Sequence, residues 1–141
     1  DNILGVKDAT GDMKNFDEVY KLCEKKIKDK DFFLYSGDDF SSLEFLKRGG
    51  HGTISVTSNV VPKIVSEICQ LIEKDFNKAK ELDNSLQSLN KNLFSESNPI
   101  PVKWALKLLG FIDTGIRLPL IELSDSNKKV LEKSLKDLNL I

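Results

Sequence analysis

Apolar residues fall along this chain in two rhythms, and the first half alternates between them. Residues 2–7 carry Ile3, Leu4 and Val6 in a short apolar run that ends on Lys7, with Asp8, Ala9, Thr10 and Gly11 as turn material behind it. A helix follows, since Phe16, Val19, Tyr20, Cys23 and Ile27 recur at helical spacing. The run "FFLYS" (32–36) predicts a second strand, and after "GDD" a short helix carries Phe40, Leu43 and Leu46 to a stop at Gly49-Gly50. "GTISV" (52–56) predicts a third strand. The helix after "TSN" runs through Ile64, Ile68, Leu71 and Ile72, with Pro62 in its first turn, where a missing N–H costs little.

From Phe76 onward only the helical rhythm remains. Phe76, Ala79, Leu82, Leu86, Leu89 and Leu93 form one stripe, the face of a packed helix. "ESNPIPVKWALKLLG" (96–110) predicts a capped, proline-initiated helix with Val102, Ala105, Leu106 and Leu109 inward and Gly110 as its stop. Residues 117–123 are expected to be extended around Pro119. Ser124-Asp125 opens a last helix carrying Val130, Leu131, Leu135 and Leu138. Strand and helix alternating at this spacing mean βαβ units, parallel pairing and right-handed crossovers, so the fold class is α/β. Two regions are expected: three βα units over 1–75 and a helical extension over 76–141.

Composition narrows the function classes. The chain of 141 residues is 40% apolar and 30% charged, with a net charge of −1. That is the make-up of a globular protein, and it offers no basic field for nucleic acid or anionic membrane. All but two of its 21 basic residues are lysines, scattered among carboxylates as in "CEKKIKDKD", which reads as solvated helix surface. No apolar run approaches the ~20 residues of a membrane span. Cys23 and Cys69 each sit inside an apolar helical pattern and read as packing thiols, which fits a reducing cytoplasm. The sequence opens at Asp1 and is almost at once in a strand, so we expect it to be part of a longer protein.

Lys7 is the residue that calls for chemistry. In parallel α/β sheets and barrels, loops converge at the carboxyl ends of the strands, and function collects there. A lysine at the mouth of an apolar barrel is poorly solvated, and desolvation favours the neutral, nucleophilic amine. Its natural use is a Schiff base with a carbonyl compound. The other reading is a side chain that snorkels to solvent and does nothing more. The next two strand ends tilt the balance: "SGDD" (36–39) permits close backbone approach, and "GGHGTISVTSN" (49–59) supplies small and hydroxyl residues. His51, the single histidine, lies in a glycine turn and is expected to be a turn residue before a general base.

Three ordered blocks, "NILGVKDATGD", "YSGDDFSSLEFLKRGGHGTISVTSNVVP" and "ESNPIPVKWALKLLG…RLPLIELSD", resemble the C-terminal half of the dihydrodipicolinate synthase family. These are pyruvate-dependent lyases of the class I aldolase superfamily, acting in lysine and diaminopimelate biosynthesis. The resemblance implies the C-terminal part of a TIM (β/α)8 barrel, its last three strands, followed by a C-terminal helical extension. It implies that Lys7 forms the Schiff base with pyruvate and that the enamine attacks aspartate semialdehyde. Ile54 matches the family's pyruvate contact, and Gly37 and Asn98 match positions near the site. No organic cofactor and no catalytic metal are implied, and a homotetramer is expected of the intact protein. Asp8 stands where glutamate is more usual; strand alternation points it away from Lys7. The family's proton-relaying tyrosine, its neighbouring threonines and its carboxylate-binding arginine come from the barrel's first half. A whole barrel needs about 250 residues, so this chain alone is expected to be inactive as a synthase. Two rivals stay open: an N-acetylneuraminate or keto-deoxy-sugar acid lyase of the same superfamily, and a non-catalytic half-barrel serving in assembly.

Overall fold

The structure, a computed structural model, describes residues 2–141. Three strands form one parallel sheet in chain order: β1 (Gly5–Asp8), β2 (Phe33–Ser36) and β3 (Gly52–Thr53). The helices are α1 (Met13–Lys28), α2 (Ser42–Lys47), α3 (Pro62–Leu71), α4 (Phe76–Leu93), α5 (Ile100–Leu108) and α6 (Asp125–Asp137), with a 3-10 turn at Thr57–Asn59. The chain divides into two compact units, Asp1–Ser55 with Ser66–Glu81, and Val56–Val65 with Leu82–Ile141.

In the first unit, α1 begins where the Asp12 carboxylate accepts the Lys14 N–H (2.9 Å), and its last turn gathers Lys25, Lys26 and Lys28 at the negative end of the helix dipole. Its apolar face brings Phe16 and Ile27 onto Leu34 of β2 and Phe45 of α2, with Val19, Tyr20 and Cys23 packed alongside. The Phe16 and Phe45 rings meet edge-on with centroids 4.5 Å apart, the geometry their quadrupoles favour. The double glycine ends α2 as its sequence suggests. Gly49 takes φ +102°, and the N–H groups of Gly49 and Gly50 donate back to Leu46 and Phe45 (3.0 Å each). A Cβ on Gly50 would strike the Phe45 ring.

The second unit is helical. Leu86, Leu89 and Leu93 of α4, Val102 and Ala105 of α5, and Leu131 and Leu135 of α6 are all buried. Thr57 donates to Asn90 (2.6 Å), and Ser88 and Asn92 both meet the buried Ser134 hydroxyl (3.0 and 2.7 Å). Polar groups inside this core therefore find one another rather than stay unsatisfied. Gly110, at φ +78°, closes α5.

Several expectations are corrected. The first strand starts at Gly5, not residue 2, and Ile3 and Leu4 are exposed; it ends on Asp8, so Lys7 is its third residue. The third strand stops after Thr53, with one further ladder bond from Ile54 N–H to Ser36 C=O (2.7 Å); by Val56 the backbone is already helical. Phe40 lies before α2 and is exposed. Residues 117–120 are not extended: the Leu120 N–H donates to Arg117 C=O (3.1 Å) in a turn around the cis Leu118–Pro119 bond. Val130 faces solvent, because α6 turns Leu131, Ser134 and Leu135 inward instead.

Candidate functional site

Strand alternation sorts the sheet into two faces. Val6, Asp8, Leu34 and Ser36 share the face that α1 and α2 cover, and Leu34 and Ser36 are fully buried there. Gly5, Lys7, Phe33, Tyr35 and Gly52 share the other, with Ile54 one step beyond Thr53 on the same side. That second face is open. Lys7 is exposed, and so are Tyr35 and, at 52%, Ile54. The burial expected around Lys7 is thus not supplied by its neighbours in this chain.

Lys7 stands directly opposite Tyr35 in register, and its aliphatic stem lies across Gly37 at the carboxyl end of β2. A Cβ at Gly37 would collide with Lys7 Cε, would meet Lys7 Cγ at 3.1 Å and would meet Ala9 Cβ at 2.9 Å. The glycine is what lets the stem lie there. Gly52 does the same for Tyr35: a Cβ on it would stand 3.1 Å from two ring carbons. The sheet therefore presents a primary amine at a strand's carboxyl end, with Gly37 beneath its stem and Tyr35, Gly52 and Ile54 beside it.

The loop behind Lys7 is a sequence of local caps. The Asp8 carboxylate accepts from Thr10 N–H and from the Asn15 amide of α1 (2.8 Å each), and the Thr10 hydroxyl accepts from Asp12 N–H (3.2 Å). Asp8 thus points toward α1 and away from Lys7, as alternation requires. Burial raises the Asp8 carboxyl, but the bonds from Thr10 and Asn15 outweigh it and leave the group below its ordinary value. In the next loop Asp38 accepts from the Ser41 N–H (2.9 Å) and hydroxyl (2.6 Å). Gly11 comes against that same carboxylate, so the first two loops touch.

His51 pairs strands. Its Nδ1 accepts the Leu34 N–H (3.0 Å), its own N–H donates to Leu34 C=O (2.8 Å), and its ring stands edge-on to Phe33. The imidazole continues the β2–β3 ladder at the residue before Gly52, so His51 pairs strands rather than forming the turn expected of it. Cys69 is partly buried, which pushes its thiol above the ordinary range, as fits a packing cysteine. No cluster of His, Cys, Asp and Glu fit to hold a metal ion occurs among the described residues.

Lys7, Gly37 and Ile54 are thus brought onto one sheet face, whereas Asn98 belongs to the second unit. Asn98 is exposed, in a short loop that Glu96 ties to the start of α6. One Glu96 oxygen accepts the Ser124 N–H (3.1 Å), the Ser124 hydroxyl (2.6 Å) and the Asn127 amide (2.8 Å), which holds the carboxyl below its usual value. Sequence reasoning passed over Tyr35 and Gly52. The alternation in "FFLYS" carried half the signal, but the register that sets Tyr35 against Lys7 exists only in the folded sheet.

Residues 1–138 match the family model described as the Dihydrodipicolinate synthetase family. The 4-hydroxy-tetrahydrodipicolinate synthase of Laribacter hongkongensis is 48% identical over 141 residues, covering 99% of this chain and 47% of its own length. That of Buchnera aphidicola subsp. Cinara cedri is 44% identical, covering 99% and 46%. A crystal structure of the chloride-inhibited dihydrodipicolinate synthase of Acinetobacter baumannii, complexed with pyruvate, superposes with a TM-score of 0.91 at 45% identity, covering 99% of this chain and 47% of the other. The chain spans about half the length of the curated relatives it matches.

Proposed function

The chain belongs to the dihydrodipicolinate synthetase family, and from that premise we propose that it carries the Schiff-base half of a synthase that condenses pyruvate with aspartate semialdehyde. The carrying observation is Lys7: a primary amine near the carboxyl end of a parallel strand, its stem seated on Gly37, on the face that also bears Ile54. The free amine of Lys7 attacks the ketone carbon of pyruvate, and loss of water gives a protonated imine. That imine withdraws electrons from the methyl group, which gives up a proton to become an enamine. The enamine carbon attacks the aldehyde, and water then releases the product and restores the amine. The protonated imine formed on Lys7 is the electron sink, so the sequence of steps calls for no organic cofactor and no metal. The pyruvate held by the Acinetobacter baumannii enzyme supports this choice of first substrate.

Ile54 lines the space beside the imine, and Gly37 seats the lysine stem. The three strands are the last three of a (β/α)8 barrel, with residues 1–75 as its final βα units and 76–141 as the C-terminal extension. The order of the three sequence blocks along the chain supports this placement. The intact protein works in the cytoplasm as a homotetramer, and this chain by itself does not turn over. Measurable synthase activity from the purified chain would refute that last clause. The central reading is tested by incubating the chain with pyruvate, reducing with borohydride and mapping the adduct by peptide mass spectrometry. One adduct confined to Lys7 and abolished by Lys7→Ala is expected; scattered labelling of surface lysines on a folded chain would overturn it.

A further inference from the structure

The geometry points to Tyr35 as a positioning residue for the reaction of Lys7, and to Gly52 as the seat that keeps its ring clear of the amine. The inference rests on the Schiff-base reading of Lys7 and adds to it a second pair of residues. Lys7, Tyr35 and Gly52 stand in one row across the three strands, Lys7 opposite Tyr35 and Tyr35 opposite Gly52. Neighbouring strands lie about 4.8 Å apart, and residues in such a row direct their side chains to the same face. A phenol ring in the middle of the row has two places to lie: toward β1, over the stem of Lys7, or toward β3.

It lies toward β3. Two of its ring carbons are 3.1 Å from where a Cβ on Gly52 would stand, a spacing that only the missing side chain permits. With the ring there, the space above Gly37 stays open, and the Lys7 stem occupies it. Two glycines thus divide the row, Gly37 holding the lysine and Gly52 the tyrosine. A planar 2-oxo acid can approach the amine only while the ring keeps to its own side. On this account, a side chain at position 52 acts on Lys7 without touching it, by turning Tyr35 back across the row.

Paired substitutions in the full chain test this, read as the rate of the borohydride-trapped pyruvate adduct at Lys7, with circular dichroism as a check on folding. Gly52→Val, whose branched side chain suits a strand, is expected to slow trapping on the order of 10- to 100-fold, the scale of a displacement of about 1 Å at a reacting group. Gly52→Ala is expected to give a smaller loss, and Tyr35→Ala combined with either is expected to restore the rate. If Gly52→Val does not fold, the Gly52→Ala pair decides. Unchanged trapping in a folded position-52 variant overturns the inference. So does a loss that Tyr35→Ala fails to restore, since that marks general damage to the strand. Absence of any Lys7 adduct in the unsubstituted chain overturns the Schiff-base reading, and this inference with it; an adduct there that is indifferent to position 52 overturns the inference alone.

Discussion

Gly37→Ala separates the chemistry of this sheet from its stability. The added methyl would overlap Lys7 Cε, stand 3.1 Å from Lys7 Cγ and stand 2.9 Å from Ala9 Cβ. The Lys7 stem is flexible and exposed, so it escapes by rotating away from the strand end. An off-rotamer compromise costs about 0.5–1.5 kcal/mol, and a full rotamer change costs less. Ala9 Cβ is fixed to the backbone, so relieving that 2.9 Å contact requires a backbone shift, and total destabilisation is expected to be about 1–3 kcal/mol. Reactivity should respond far more, because the rotation carries the amine at least about 1 Å from its place, a displacement worth up to about 100-fold in rate. The assay pairs thermal unfolding with borohydride trapping of pyruvate at Lys7. A fall of a few degrees in melting temperature, with the chain still folded at the assay temperature, and a fall in trapping of at least about tenfold are expected. Trapping within twofold of the unsubstituted chain would refute the claim that Gly37 seats the lysine. A loss of folding equal to the loss of trapping would refute the separation of the two roles.

Phe16→Ala removes the aromatic centre of the first core and is expected to cost about 3–5 kcal/mol, read from chemical denaturation. His51→Ala leaves the Leu34 N–H without its acceptor, for about 1–3 kcal/mol and faster hydrogen exchange at that amide; exchange unchanged there would count against the strand-pairing role. The Asp8 carboxyl is depressed in the folded chain, so its contribution is fully present above the unfolded value of about 3.9 and is lost as pH falls through the lower folded value. Melting temperatures followed from pH 6 to pH 2.5 should therefore fall more steeply for the parent than for Asp8→Asn, and parallel curves would contradict the bonds drawn to Thr10 and Asn15.

The helices were legible because a helix is a local object. Spacing alone marked Phe16 and Ile27, and Leu86, Leu89 and Leu93, as inward-facing, and all are buried. The double glycine behind α2 and Gly110 behind α5 gave their stops through φ, which one residue decides for itself. Lys7 was legible as an amine near the end of the first strand, one residue short of where pairing stops, and three sequence blocks carried the family. Strand ends were less so: Ile3 and Leu4 have the composition of a strand, but a strand exists only as far as its neighbour bonds to it. His51 shows the converse, a side chain that adds a bond to the ladder beside the one its own backbone makes. Val130 faces water because the partners of α6, not its own periodicity, chose the buried side. The site itself belongs to tertiary structure: register put Tyr35 opposite Lys7 and Gly52 opposite Tyr35. Sequence supplied an amine, a tyrosine and a glycine far apart in the chain; parallel pairing, which couples residues with no local relation, set them in one row.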